Sequence, residues 1–173
     1  DVDIVKSYGI HVIIGVIFGA IFAASLDTKS LILFFTTVIY LLAIYLLFIK
    51  EKETQINLKI SFLTKMIFGF AVGFISAPMG IGGAIMNVPI LKFFGYSINR
   101  AIGSAAAIGF FIAIFGALGF LILGSLLKAN LPLSIGFINI PAFLIFIPIT
   151  TIMAKIGAST VHKIEKNKIS KLF

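Results

Sequence analysis

The chain has no cysteine and no tryptophan among its 173 residues, and only six acidic side chains against fourteen basic ones. Without cysteine there is no disulfide, no thiolate metal site and no cysteine nucleophile. Without tryptophan the usual aromatic marker of a membrane interface is missing. The acids, Asp1, Asp3, Asp27, Glu51, Glu53 and Glu165, all read as loop or terminal residues. No carboxylate pair is placed for general acid and base work, and none can form an intramembrane proton relay within this segment. His11 and His162 stand far apart without a ligand-spaced partner. Metal binding and catalysis are therefore not expected, no cofactor is implied, and the chain does not read as an enzyme. Nucleotide motifs are lacking too: Gly80-x-Gly82-Gly83 has no third glycine at dinucleotide-fold spacing, and no Gly-Lys-Ser/Thr follows it.

What the chain has is apolar length. It is 60% hydrophobic, with a mean hydropathy of +1.18, against roughly 45–50% apolar content in soluble domains. This composition is that of an integral membrane protein, with room for about five spans of about 20 residues each. The net charge of +8 is no sign of a nucleic-acid partner, because the basic residues sit in short stretches between apolar runs, as in cytoplasmic loops. The nineteen phenylalanines are dispersed as lipid-facing or packing residues and form no stacking platform. Asp1-Val2-Asp3 lacks an initiator Met and a basic leader, and Ser170-Lys171-Leu172-Phe173 ends abruptly, so both ends read as cuts in a longer chain.

Four runs predict spans: Tyr8 to Leu26, Ser30 to Ile49, Ala101 to Gly124 and Ile135 to Ala154. The first two are joined by Asp27-Thr28-Lys29, which predicts a tight hairpin between antiparallel neighbours. Residues 50–59 read as a solvated cytoplasmic loop and the clearest boundary. Ile60 to Phe94 is too long for one crossing, since 35 residues of helix at about 1.5 Å each measure about 52 Å, against about 30 Å of hydrocarbon. It has to bend, and Ser76-Ala77-Pro78-Met79-Gly80-Ile81-Gly82-Gly83-Ala84 shows where, because glycines and prolines this dense cannot continue a helix.

Charge decides between a kinked crossing and a hairpin that returns to the side it entered. A single crossing divides the basic residues six against eight, whereas a re-entrant hairpin leaves only Lys29 and Lys128 opposite the other twelve. Cytoplasmic loops collect Lys and Arg, so the hairpin is predicted, with the basic face cytoplasmic. A faint internal echo points the same way: Gly19-Ala20, Leu26, Leu31 and Phe35 recur as Gly157-Ala158, Ile164, Ile169 and Phe173 at one offset of 138 residues. The expectation is an all-α, polytopic transmembrane bundle with inverted repeats. Residues 1–49 form the last two helices of the first repeat. Residues 60–173 form the second, with a broken hairpin over 60–94, helices over 101–124 and 135–154, and a basic tail leading to a further helix. Inverted repeats are the plan of a secondary transporter.

Irregular backbone at membrane depth is tolerated where it is packed in protein or lines a cavity, which makes the break the first candidate site. The Gly80-Ile81-Gly82-Gly83 turn exposes backbone amides, and a short helix starts at about Ala84. A helix N-terminus carries free N–H donors and about half a positive charge, enough to hold a small anion without the full charge that would hinder its release. Ser76 and Asn87 offer side-chain hydrogen bonds, and Gly103-Ser104 a close approach and a hydroxyl. The substrate-binding set is thus Ser76, Gly80, Gly82, Gly83, Asn87 and Ser104, with Pro78, Pro89 and Gly103 as hinges. Small residues also serve plain helix packing, the role expected of Gly15 with Gly19 and Gly69 with Gly73.

The run Gly73-Phe74-Ile75-Ser76 through Gly80-Ile81-Gly82-Gly83-Ala84 to Pro89-Ile90-Leu91, then Ala101-Ile102-Gly103-Ser104, resembles the TauE/SafE family of membrane transporters, the sulfite exporter family. Ala84 replaces a family glycine, and Ala77-Pro78 replaces the glycine usual after the serine. The resemblance implies a small sulfur-containing or organic anion, such as sulfite or a sulfonate, moved across the bacterial inner membrane. The residues alone imply only a small anion. The expected partners are that anion and the lipid bilayer, with a homo-oligomer left open. No ATP machinery is encoded, so a gradient or the membrane potential has to supply the energy; for a monoanion the potential is worth about 2.3 kcal/mol per 100 mV and favours export. Two other readings use the same features: an anion channel, and a non-transporting subunit that binds a partner through the basic tail.

Overall fold

A computed structural model describes residues 2–48, 61–80, 82–129 and 131–161. The expected 50–59 loop lies outside those residues. So does the tail beyond Val161, with His162, Glu165 and the echo positions Ile164, Ile169 and Phe173. The described elements are α1 (Val2–Ser25), α2 (Thr28–Phe48), α3 (Phe62–Met79), α4 (Ala84–Phe93), α5 (Ile98–Leu126), a minimal hairpin of β1 (Ser134–Ile135) and β2 (Ile138–Asn139), and α6 (Ile140–Val161). Helix dominates for the reason the composition implies: in lipid each backbone N–H and C=O needs an internal partner, and a helix provides one locally. α1, α3 and residues 100–126 of α5 are long and apolar enough to cross a membrane, and α2 and α6 carry shorter apolar stretches.

The centre of the fold is α1, packed between α3 and α5. Ile4, Tyr8, Val12, Val16 and Ala20 recur every four residues on one face of α1, and all are buried. With Leu91, Phe94, Ala101, Ala105, Ile108 and Ile112 they form the core. The α1–α3 contact is backbone on backbone. A β-carbon on Gly15 or Gly73 would collide with the main chain of Phe70 or Val12 respectively, and one on Gly69 would lie 2.9 Å from His11 Cβ. The packing expected of Gly15, Gly19, Gly69 and Gly73 is therefore present, and it is the means by which apolar helices associate where lipid offers no hydrophobic driving force.

The contacts also fix direction. Along α1 and α3, His11 meets Phe62, Val12 and Val16 meet Gly73, and Phe22 meets Phe74, so the two helices run parallel. Along α1 and α5, Gly9 faces Ile108, Gly116 faces Val16 and Gly119 faces Ala20, again parallel. α4 lies the other way: Phe93 and Phe94 at its end stand beside Phe68 near the start of α3, with ring centroids 6.4 and 5.8 Å apart. The chain thus runs up α3, reverses and comes back down α4 before α5 sets off parallel to α3.

Two expectations change. The α1–α2 joint is tight, with Leu26 and Asp27 between the helices and the Lys29 N–H donating to Asp27 Oδ2 at 3.2 Å. The helices are nevertheless not packed neighbours along their length. Their rings meet at Phe22 and Phe34, 5.5 Å apart, close to the joint, and Leu33, Tyr40, Leu41 and Ile44 of α2 are exposed. The small-residue face of α1 is committed to α3, which leaves α2 no close-packing surface on α1. The second change concerns the run expected to span from Ile135. Its first residues form the β hairpin instead, and helix begins at Ile140. Gly136 has φ +59°, which turns the chain, and its Cα side presses on Leu121 of α5. The Phe137 N–H donates to the Phe120 carbonyl at 3.3 Å. Asn139 then caps α6, its Oδ1 accepting from the Ala142 N–H at 3.0 Å.

Candidate substrate site at the broken helix

The reversal between α3 and α4 follows from its residues. Pro78 cannot donate to the carbonyl four residues earlier, that of Phe74, and so weakens the last turn of α3. Gly80 then takes φ +60°, the left-handed conformation that ends helices, with its N–H on the Ala77 carbonyl at 3.3 Å. Gly83 caps α4 without a side chain, so no residue of the turn uses up the first N–H groups of that helix from the cap position.

A cavity of about 160 Å³ opens at this turn, lined by Ser76, Ala77, Gly80, Gly82 and the α5 residues Ile112, Ala113, Gly116, Ala117 and Phe120. A water occupies about 30 Å³ in the liquid, so the space suits a small oxyanion or a few waters. None of the lining side chains carries a charge. The positive end of α4 adjoins the space through Gly82 and Gly83.

Two buried polar atoms here have no partner among the described residues. Ser76 Oγ belongs to a side chain only 2% exposed. Asn87 is fully buried in the second turn of α4, and its Nδ2 is unpaired. A β-carbon on Gly83 would sit 2.5 Å from both Asn87 Nδ2 and Ile112 Cδ1, so both side chains pack directly on the Gly83 backbone. The other end of the Asn87 amide is engaged: Tyr8 Oη donates to Oδ1 at 2.9 Å. An unsatisfied buried donor costs about 1–3 kcal/mol, a penalty a ligand's acceptors can remove.

Of the residues singled out from sequence, Ser76, Gly80 and Gly82 line the cavity, while Gly83 and Asn87 adjoin the turn at the start of α4 without lining it. Ser104 does not line the cavity; it is buried on the α5 face that carries Ala101, Ala105 and Ile108. Gly103 provides no close approach, because a β-carbon there would meet nothing within 4 Å. Gly109 is the α5 glycine that faces the turn, and a β-carbon there would lie at ordinary contact distance, 3.6 Å, from the Gly83 nitrogen. Pro78 and Pro89 lie inside α3 and α4. Tyr8 was not singled out, although a phenol in an apolar stripe of period four is a legible signal: its hydroxyl has to find a partner when buried. His11 Nδ1 lies 2.9 Å from the Ser7 carbonyl, and among the described residues no group of His, Asp or Glu could hold a metal ion.

Toward the end of the bundle that holds Lys6 and Lys65, the space below the turn is filled by Tyr8, Asn87, Leu91, Phe94, Ala101 and Ala105, all buried. Toward the opposite end the cavity continues along α5 to Phe120.

Long apolar helices packed through glycine faces, with a helix break beside a cavity, define a multi-pass α-helical membrane protein. More particularly, the whole chain, residues 1–173, matches the model of the family described as sulfite exporter TauE/SafE, and the chain belongs to that family. It is also similar to a probable membrane transporter protein of Haemophilus influenzae, with 31% identity over 163 residues. That match covers 94% of this chain but 61% of the relative, so the chain spans about three-fifths of the relative's length. No solved structure matches it. The family's description and the relative's name are those of membrane transporters.

Proposed function

We propose that this chain contributes the substrate site of a secondary transporter that exports a small oxyanion, sulfite, a sulfonate or a related organic anion, across the bacterial inner membrane. The observation that carries the reading is the pair of buried atoms without a partner among the described residues: Ser76 Oγ, on a residue of a cavity wall without charge, and Asn87 Nδ2, against Gly83 at the uncapped N-terminus of α4. A donor set of this kind binds an anion through hydrogen bonds and a partial dipole charge. The strength suits release as well as capture. The backbone N–H groups at Gly82 and Gly83, with Gly80 shaping the turn, supply the rest of the set.

The 60–94 segment acts as a re-entrant hairpin that enters and leaves on the cytoplasmic side. This is supported by α1, α3 and α5 being mutually parallel with α4 reversed, and by Lys6, Lys65 and Arg100 sitting near the starts of those three helices. The second half of the site belongs to the inverted counterpart of this hairpin, and motion about the proline and glycine positions alternates access.

The test is uptake of radiolabelled sulfite, sulfoacetate and sulfate into inverted vesicles that carry the full-length protein or its Gly82→Leu variant. Gly82 lacks a positive φ and has open space where a side chain would go, so leucine is compatible with the fold and fills the mouth of the cavity. Saturable flux that the variant loses is the expected result. Equal flux in both would remove the cavity from the transport path.

A further inference from the structure

We propose that Tyr8 is a positioning residue for the anion site: its hydroxyl locks the Asn87 carboxamide with the NH2 group turned to Gly83 and the start of α4, so that Asn87 serves there only as a donor. This rests on the anion-site reading above and adds to it a specificity device supplied by a different part of the chain, 79 residues away.

A carboxamide has nearly the same shape in its two orientations but opposite chemistry, one end accepting and the other donating. At position 87 the difference is decisive, because the side chain is fully buried and one of its ends adjoins the cap residue of α4. With Oδ1 turned to Gly83, the asparagine would place its own negative end at the positive terminus of the helix and occupy the place of an anion. That orientation is electrostatically attractive in the empty site, so something has to oppose it. The Tyr8 hydroxyl does so by donating to Oδ1 at 2.9 Å. Turning the amide over would cost the phenol its acceptor in a region where Tyr8 is completely buried.

The phenol is itself well held. Tyr8 stands edge-on to Phe94 with centroids 6.0 Å apart, and the backbone of Gly69 lies against it from α3. Neither Tyr8 nor Asn87 is in the cavity wall; Asn87 Nδ2 lies against Gly83 at the start of α4, and Tyr8, one hydrogen bond further away, acts through Asn87. Because α1 holds Tyr8 and α4 holds Asn87, any movement of α1 against the hairpin that lengthens this bond also frees the amide to turn and quench the site. Substrate release is thereby coupled to helix displacement.

The experiment is sulfite flux by the full-length protein in proteoliposomes, comparing wild type, Tyr8→Phe, Asn87→Ala and the double variant. Phenylalanine keeps the ring and its contact with Phe94 while removing the hydroxyl. The expected result is a KM raised on the order of ten-fold by Tyr8→Phe with maximal flux little changed, and no further rise when the same change is made in the Asn87→Ala background. Asn87→Asp guards against poor insertion of the tyrosine variant: it retains the acceptor for Tyr8 and the shape of the side chain but has no NH2, and loss of sulfite flux is expected. An unchanged KM in Tyr8→Phe, an equal rise in the Asn87→Ala background, or full flux in Asn87→Asp overturns the positioning role and leaves the site reading intact. Absence of saturable sulfite flux in the wild type overturns the site reading and the positioning role together.

Discussion

The Phe74 carbonyl rests against Gly19, so near that a β-carbon on Gly19 would run into it. This is the same carbonyl that Pro78 leaves without its helical donor. The residue that begins the break in α3 thus also shapes the surface on which α1 packs, and a glycine is required opposite.

Replacing Gly19 or Gly73 by leucine is expected to separate α1 from α3 and to destabilise the protein by about 3 kcal/mol or more, since backbone has no rotamer with which to yield. Gly103→Leu is the matched control. Its side chain enters open space on α5, and helix propensity makes it neutral to slightly stabilising, by up to about 1 kcal/mol. Thermal unfolding in detergent reads both. Equal losses at all three positions would show that close helix approach is not what these glycines supply.

Ser76→Ala is expected to split stability from activity. The hydroxyl is buried without a partner, so removing it leaves the fold unchanged or stabilises it by about 1 kcal/mol, while sulfite binding weakens several-fold. Melting temperature and KM measured on the same preparation decide it. A drop in stability would mean that the hydroxyl has a structural bond, and the site would lose one of its donors.

None of these 173 residues is cysteine, so single cysteines placed among them, in a full-length background cleared of any others, measure topology. Single cysteines at Lys6, Lys65 and Arg100 are expected to react with a membrane-impermeant maleimide from the cytoplasmic side, and those at Lys29 and Lys128 from the opposite side. Arg100 is the discriminating position. A single kinked crossing of the 60–94 segment puts it on the side opposite Lys65, and labelling there from outside would exclude the re-entrant hairpin.

Asp27 gives a pH signature. Hydrogen bonds from Ser30 and the Lys29 N–H hold its carboxyl below the usual carboxylate range. A group with a depressed folded-state pKa contributes stability above its unfolded pKa and loses it as pH falls through the folded value. The start of α2 is therefore expected to fray only on acidification, and Asp27→Asn to abolish that step. Amide exchange at Lys29 and Ser30 between neutral and acidic pH measures it.

Much of this protein was legible from residue order alone, because the constraints involved are local. Apolar runs of spanning length predict helices wherever lipid denies the backbone water, and a Pro-Gly cluster predicts a break because proline lacks a donor and glycine accepts a left-handed turn. The start of α4 at Ala84 follows from the same rules, and Ser76 and Asn87, singled out as candidate donors, are both buried. The lysine distribution predicts a re-entrant hairpin because charge is sorted by side of the membrane and not by contact, and α4 runs back beside α3. The TauE/SafE family, too, was recognisable from the turn and its flanks.

Other features depended on which surfaces meet. Gly103 and Gly109 are equally plausible in sequence as points of close approach. Only the rotation of α5 about its axis sends Gly103 outward and brings Gly109 to Gly83. Asp27-Thr28-Lys29 is as tight a joint as expected, yet α2 does not pack along α1, because the glycine face of α1 is taken by α3. Gly136 reads as part of an apolar span until its contact with Leu121 turns it into a corner. Tyr8 is one polar atom in an apolar stripe, and what gives that atom a role is Asn87, 79 residues away in the chain. Hydropathy, charge and turn propensity act over a few residues and could be read in order along the chain. The pairing of one buried donor with one buried acceptor was decided by the way three parallel helices and a reversed one close around them.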